Sequence, residues 1–123
     1  MPISTLTDAK TFEADGFTLT QLAAPSKGSV ELALWTAHVE PGARSVEHRM
    51  DREEVFLVVS GTVAASLNGE EIQAAAGDAI IVPPGSLLQL RNETAEPAGL
   101  TCVTSVGLKA TANGETFAPP WTL

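Results

Sequence analysis

Two stretches decide how this chain folds: residues 42–61, GARSVEHRMDREEVFLVVSG, and residues 77–92, GDAIIVPPGSLLQLRN. In the first, an apolar run over 55–59 stops at Ser60-Gly61, and His48 and Glu54 stand just before it. A short apolar run between turn signals reads as a strand. In the second, Gly77-Asp78 opens an apolar run that Pro83-Pro84-Gly85 closes. Two successive prolines remove two backbone donors, so a strand ladder must stop there. The apolar pattern resumes at Leu87 and runs to Arg91.

Outward from these stretches the chain keeps the same rhythm. Strands are expected over 18–23, 30–39, 55–59, 62–67, 71–75, 79–82, 87–91 and 98–106. Asn68-Gly69 between two of them is a two-residue hairpin signal, because both residues tolerate positive φ. Pro41-Gly42 ends another strand. A turn over 7–12 is the one helical candidate. Many short strands with turns between them predict an all-β sandwich or barrel.

The chain has 123 residues, room for one domain. Its 44% hydrophobic content is enough for a core. Fifteen acids against seven bases leave a net charge of −8, the wrong sign for nucleic acid or an anionic membrane. A lone Cys102 excludes an internal disulfide and any multi-cysteine zinc site. No basic-then-apolar leader opens the sequence, and no run approaches the 18 apolar residues a spanning helix needs. The expectation is a cytoplasmic domain, with residues 1–17 as an N-terminal arm and 112–123 as a tail. That tail, with Phe117 and Trp121 around two prolines, is expected to pack on the barrel or on a partner.

In order and spacing the two stretches resemble the paired motifs of the cupin superfamily. The first family motif runs Gly, five residues, His-x-His, three or four residues, Glu, six residues, Gly. Gly42, His48, Glu54 and Gly61 match it. The second runs Gly, five residues, Pro-x-Gly, two residues, His, three residues, Asn. Gly77, Pro83, Gly85 and Asn92 match it. The resemblance implies a single cupin-type β-barrel, that is, a double-stranded β-helix or jelly roll.

Two motif positions depart. Met50 stands where the family has its second His, and Leu88 where it has its third. Metal-dependent cupins usually hold one divalent ion with three His and one Glu, so by resemblance only His48 and Glu54 survive. Leucine has no donor atom, and a thioether suits Cu(I) better than Fe, Mn, Ni or Zn in their divalent states. The expected cofactor set is therefore none. The alternative is a divalent ion (Fe, Mn, Ni, Cu or Zn) held by His48, Glu54, water and substrate in a dioxygenase-like oxidoreductase.

The family's ligand positions face the barrel interior, which sets the parity of each strand. Glu54, Phe56 and Val58 face in; Val55, Leu57 and Val59 face out and need a second layer or a partner, so a homodimer is expected. The same reasoning makes Trp35, Val39, Met50, Phe56, Leu88, Leu90, Leu100 and Cys102 the lining of an apolar pocket. His48 and Glu54 are then its polar pair, with Glu54 favouring a protonated His48. The reading that follows is a small-molecule-binding barrel with a degenerate metal site. As an enzyme it would use His48 and Glu54 as an acid–base pair for isomerase, lyase or cyclase chemistry. A non-catalytic ligand-binding or regulatory module is the third reading, with His48 and Glu54 an inert relic. Cys102 and Trp35 also read as plain core residues. Arg44, Arg49 and Arg52 are expected to pair locally with Asp51 or Glu53 rather than to meet a ligand.

Overall fold

The protein is described by a computed structural model that covers residues 3–123. Twelve strands form two antiparallel sheets. The first sheet is ordered β1 (Thr11–Ala14), β2 (Phe17–Ala23), β3 (Leu32–Val39), β10 (Ala98–Ser105), β5 (Glu54–Ser60), β8 (Ala79–Val82). The second is ordered β12 (Glu115–Phe117), β11 (Ala110–Ala112), β4 (His48–Met50), β9 (Leu87–Arg91), β6 (Thr62–Leu67), β7 (Glu70–Ala75). The chain changes sheet repeatedly, and the inner faces close on each other as a jelly-roll barrel.

The inward parity holds strand by strand. Glu54, Phe56 and Val58 are buried on β5, Leu88 and Leu90 on β9, and Leu100, Cys102 and Thr104 on β10. With Trp35, Ala37, Val63 and Ala65 they make the main core. The outer face of the first sheet is left uncovered by the chain itself: Leu57 is 41%, Val59 57% and Ile81 61% exposed.

Positive φ pins the turns. Gly61 joins β5 to β6 at φ 75°, and a Cβ there would sit 2.8 Å from the Pro97 carbonyl oxygen. No side chain fits, which explains the motif glycine at this joint. Asn92 organises the turn after β9. Its amide donates to the Val39 and Glu96 carbonyls, and its Oδ1 accepts from Thr94.

Four strands lie outside the sequence expectation: β1, β4, β11 and β12. In place of the helical turn over 7–12 there is a short 3-10 turn, Leu6–Asp8, followed directly by β1. Asp15-Gly16 (φ 52° and 86°) folds β1 back on β2, pairing Phe12 with Leu19. Asn113-Gly114 (φ 51° and 78°) does the same for β11 and β12. Both dipeptides are hairpin signals of the same kind as Asn68-Gly69. Within the expected arm and tail, β1 and the start of β2 and the strand β12 belong to the two sheets.

Candidate functional site

A single row of side chains crosses the first sheet. Cys102 lies opposite Trp35 on β3 and opposite Phe56 on β5. This row, with Leu100, forms one wall of a cavity of about 130 Å³. His48 and Met50 from β4 and Leu90 from β9 form the facing wall. Glu54, at the start of β5, reaches the same space. Both ends of the chain also reach the boundary: Phe17 and Leu19 on β2, Phe117 on β12, and Trp121 in the C-terminal 3-10 turn Pro120–Thr122.

Trp121 is fastened there. Its carbonyl accepts from the side chain of buried Gln21 at 3.1 Å, and its ring meets Phe12 with centroids 6.3 Å apart. Thr122 beside it is fully buried. Sequence reading flagged this tail but did not place it on the cavity. Phe17 and Leu19 were also missed, although their alternation with Thr18 and Thr20 carries a strand signal.

Two expected lining residues stand apart. Val39 and Leu88 face inward and are fully buried, yet they belong to the packed core outside the cavity boundary. Parity sets the face of a strand but not the height along it. Positions two apart differ by roughly 6–7 Å, enough to move a side chain from cavity to packing.

The expected pairing of His48 with Glu54 is absent. His48 donates its Nδ1–H to the Val46 carbonyl at 2.9 Å. A carbonyl can only accept, so the proton sits on Nδ1 and Nε2 keeps its lone pair. Among the described residues, the ion pairs are His38–Glu40, Arg91–Glu71 and Arg91–Glu93, and Glu54 is in none of them. Burial lowers the His48 pKa from 6.5, against a smaller opposing effect of the Val46 hydrogen bond. The imidazole is therefore held neutral, the reverse of the protonated state expected from a Glu54 contact.

Glu54 is 1% exposed, and its Oε1 is buried with no hydrogen-bond partner. Burial raises its pKa from 4.5 to about 8, because an ionised carboxylate in apolar surroundings lacks solvation. Cys102 is pushed well above its ordinary value, first by burial and then by the nearby Glu54. A thiol held protonated in this way is a poor nucleophile, so Cys102 behaves as a small apolar wall residue.

The donor set does not suit the ion the fold family commonly holds. Leu88, at the third histidine position, is opposite His48 in register and packed in the core. Among the described residues no three His, Cys, Asp or Glu side chains converge. What remains is one imidazole, one carboxylic acid and one thioether, a poor set for a hard or borderline divalent ion.

The arginine loop is also redirected. Arg49 donates to the Gly85 carbonyl at 2.8 Å, and Arg52 to Ser105 Oγ at 3.0 Å and the Val106 carbonyl at 3.3 Å. Asp51 instead accepts from the Lys109 backbone N–H. The expected pairs with Asp51 and Glu53 do not form, because unsatisfied carbonyls at strand ends lie within reach. None of these arginines borders the cavity.

The family model described as the cupin domain matches residues 35–104, which include both motifs. The chain is a cupin. No curated protein matches this cupin. Among solved structures it resembles an RmlC-like cupin from Shewanella frigidimarina at 21% identity, covering 84% of this chain and 88% of that one, with a TM-score of 0.72. It also resembles the polyketide cyclase RemF from Streptomyces resistomycificus at 18% identity, covering 94% and 85%, with a TM-score of 0.77. Salicylate 1,2-dioxygenase from Pseudoaminobacter salicylatoxidans matches at 20% identity with a TM-score of 0.73, over 86% of this cupin but 31% of the dioxygenase chain. At these identities the likeness is one of fold, and function must be argued from the site.

Proposed function

We propose that this cupin binds a small, largely apolar molecule in its barrel cavity and acts on it by proton transfer between Glu54 and His48. The observation that carries this reading is the orphaned Oε1 of Glu54, a residue on the boundary of a largely apolar cavity. A buried polar atom without a partner is costly, and a ligand that reaches it removes that cost. An apolar cleft with few polar groups is the usual character of a small-molecule site.

The two groups divide the work. Glu54, held as the neutral acid, donates its proton to a ligand oxygen. His48 Nε2, held neutral by the Nδ1–Val46 bond, accepts a proton from an adjacent carbon or hydroxyl of the ligand. One proton enters the ligand and one leaves it, the balance of an isomerisation or a cyclisation. Exchange with solvent returns Glu54 to the acid and His48 to the base. The cycle uses no metal, consistent with the poor donor set described above. The uncovered apolar face of Leu57, Val59 and Ile81 supports a homodimer as the working form.

The test is hydrogen exchange at the α-carbon of small aromatic ketones in D2O, followed by mass spectrometry. Wild-type protein should accelerate exchange over buffer, and His48→Ala and Glu54→Gln should each lose roughly 10²-fold or more of that acceleration. Acceleration that survives both substitutions would remove the acid–base reading. The pH profile should be bell-shaped. Its lower limb is the His48 titration below 6.5, and its upper limb the loss of the Glu54 proton near 8.

A further inference from the structure

The cavity carries a second orphan. Trp121 borders it, and the indole Nε1–H is buried with no hydrogen-bond partner. An indole N–H can only donate. Glu54 and Trp121, both on the cavity boundary, thus each carry a buried polar atom that the protein itself leaves unsatisfied. Trp121 is not loosely placed, since the Gln21 hydrogen bond and the buried Thr122 hold its backbone.

The charge around this space is one-sided. None of the seven Lys and Arg side chains borders the cavity, and its acidic residues are Asp15 and Glu54. The whole chain carries −8. An anionic ligand would lose its water and find no cation to replace it. A cationic ligand would meet the aromatic walls well, but it offers the indole N–H no acceptor. An uncharged molecule with an acceptor oxygen satisfies the donor without that electrostatic cost.

We infer that the ligand is an uncharged, ring-sized apolar molecule bearing a carbonyl or equivalent acceptor oxygen, and that Trp121 Nε1–H is the group that selects it. This inference rests on the cavity being a ligand site, as proposed above. The volume of about 130 Å³ suits a single aromatic ring with a short substituent. Phosphorylated and carboxylated compounds are thereby disfavoured as ligands.

Four probes of nearly equal size separate the possibilities: acetophenone, ethylbenzene, benzoate and benzylammonium, titrated at pH 7 by ligand-observed NMR. Acetophenone should bind roughly tenfold more tightly than ethylbenzene, the expected gain from satisfying a buried donor. Benzoate and benzylammonium should bind at least about tenfold more weakly than acetophenone. The carbonyl carbon of ¹³C-labelled acetophenone should shift downfield on binding. In Trp121→Phe, which keeps a ring against Phe12, the preference for acetophenone over ethylbenzene and the downfield shift should both shrink, leaving only what the Glu54 acid supplies, while ethylbenzene binds as before. If that variant does not fold, the wild-type ranking and the ¹³C shift decide alone. Equal or tighter binding of benzoate or benzylammonium overturns the inference but leaves the cavity a ligand site. An acetophenone preference that is undiminished in Trp121→Phe overturns the role of the indole. Failure of all four probes to bind overturns both this inference and the proposed function.

Discussion

Glu54 is the buried carboxyl group on which the pH response of this small barrel turns. Its pKa is raised by burial, so between 4.5 and about 8 the folded protein holds a proton that the unfolded chain releases. Linkage then makes stability fall as pH rises through that window. Glu54→Gln removes the ionisation while keeping the shape. The variant should gain on the wild type by a few kcal/mol between pH 5 and pH 8.5, since each tenfold difference in proton affinity between folded and unfolded chain is worth about 1.4 kcal/mol. Urea unfolding at pH 5, 7 and 8.5 measures this, and parallel pH dependences for the two proteins would show that Glu54 is not the group responsible. His48 contributes with the opposite sign. Its lowered pKa favours the fold as pH rises through the ordinary imidazole value, so acidification back through that value weakens the protein through His48. That His48 and Glu54 share a cavity was implied by the resemblance to the cupin motifs. That they do not bond was not, because the Val46 carbonyl competes for Nδ1 only once the loop before β4 is folded.

At the scale of elements, the joints carry the specificity. Gly61 combines a positive φ with a carbonyl oxygen 2.8 Å from any added Cβ. Gly61→Ala should therefore destabilise by roughly 1–3 kcal/mol, the range for a strained backbone position, read as a lowered thermal midpoint. Gly69, also at positive φ, has nothing near its would-be Cβ, so Gly69→Ala should cost less. Equal losses would mean that the Pro97 contact is unimportant. Strands β6, β8 and β9 were readable to the residue, since each is a continuous apolar or alternating run between firm turn signals. Strand β4 was not. Three residues, His-Arg-Met, have no periodicity to read, and only pairing with β9 and β11 makes them a strand. The β11–β12 hairpin was legible in principle through Asn113-Gly114, but its flanks, Ala-Thr-Ala and Glu-Thr-Phe, are too short and mild to announce strands.

For the whole molecule, the two chain ends matter most. Phe17 and Leu19 from one end and Phe117 and Trp121 from the other border the cavity that the motif strands line. The outer face of the first sheet keeps Leu57, Val59 and Ile81 in solvent when the chain is alone. The paired substitution Leu57→Lys with Ile81→Lys should convert a dimer to a monomer in light scattering without lowering the thermal midpoint of the barrel core. A wild-type monomer at tens of micromolar would remove the dimer reading. Treatment with a strong chelator should leave the thermal midpoint unchanged, since a tightly bound ion would add stability that its removal forfeits.

Residue order alone was enough to place eight of the twelve strands and the main turns between them. These are local properties, written in a two-residue period and in the positive φ that Asn-Gly and Gly positions accept. The resemblance to the cupin motifs also marked Met50 and Leu88 as standing where the family has histidines. The height of each side chain along the barrel came only with the tertiary structure, which moved Val39 and Leu88 into packing and brought Trp121 to the cavity. So did the hydrogen bond that turns His48 away from Glu54. Those outcomes depend on contacts between residues far apart in the chain, and no local pattern encodes which distant carbonyl or indole will arrive beside a given atom.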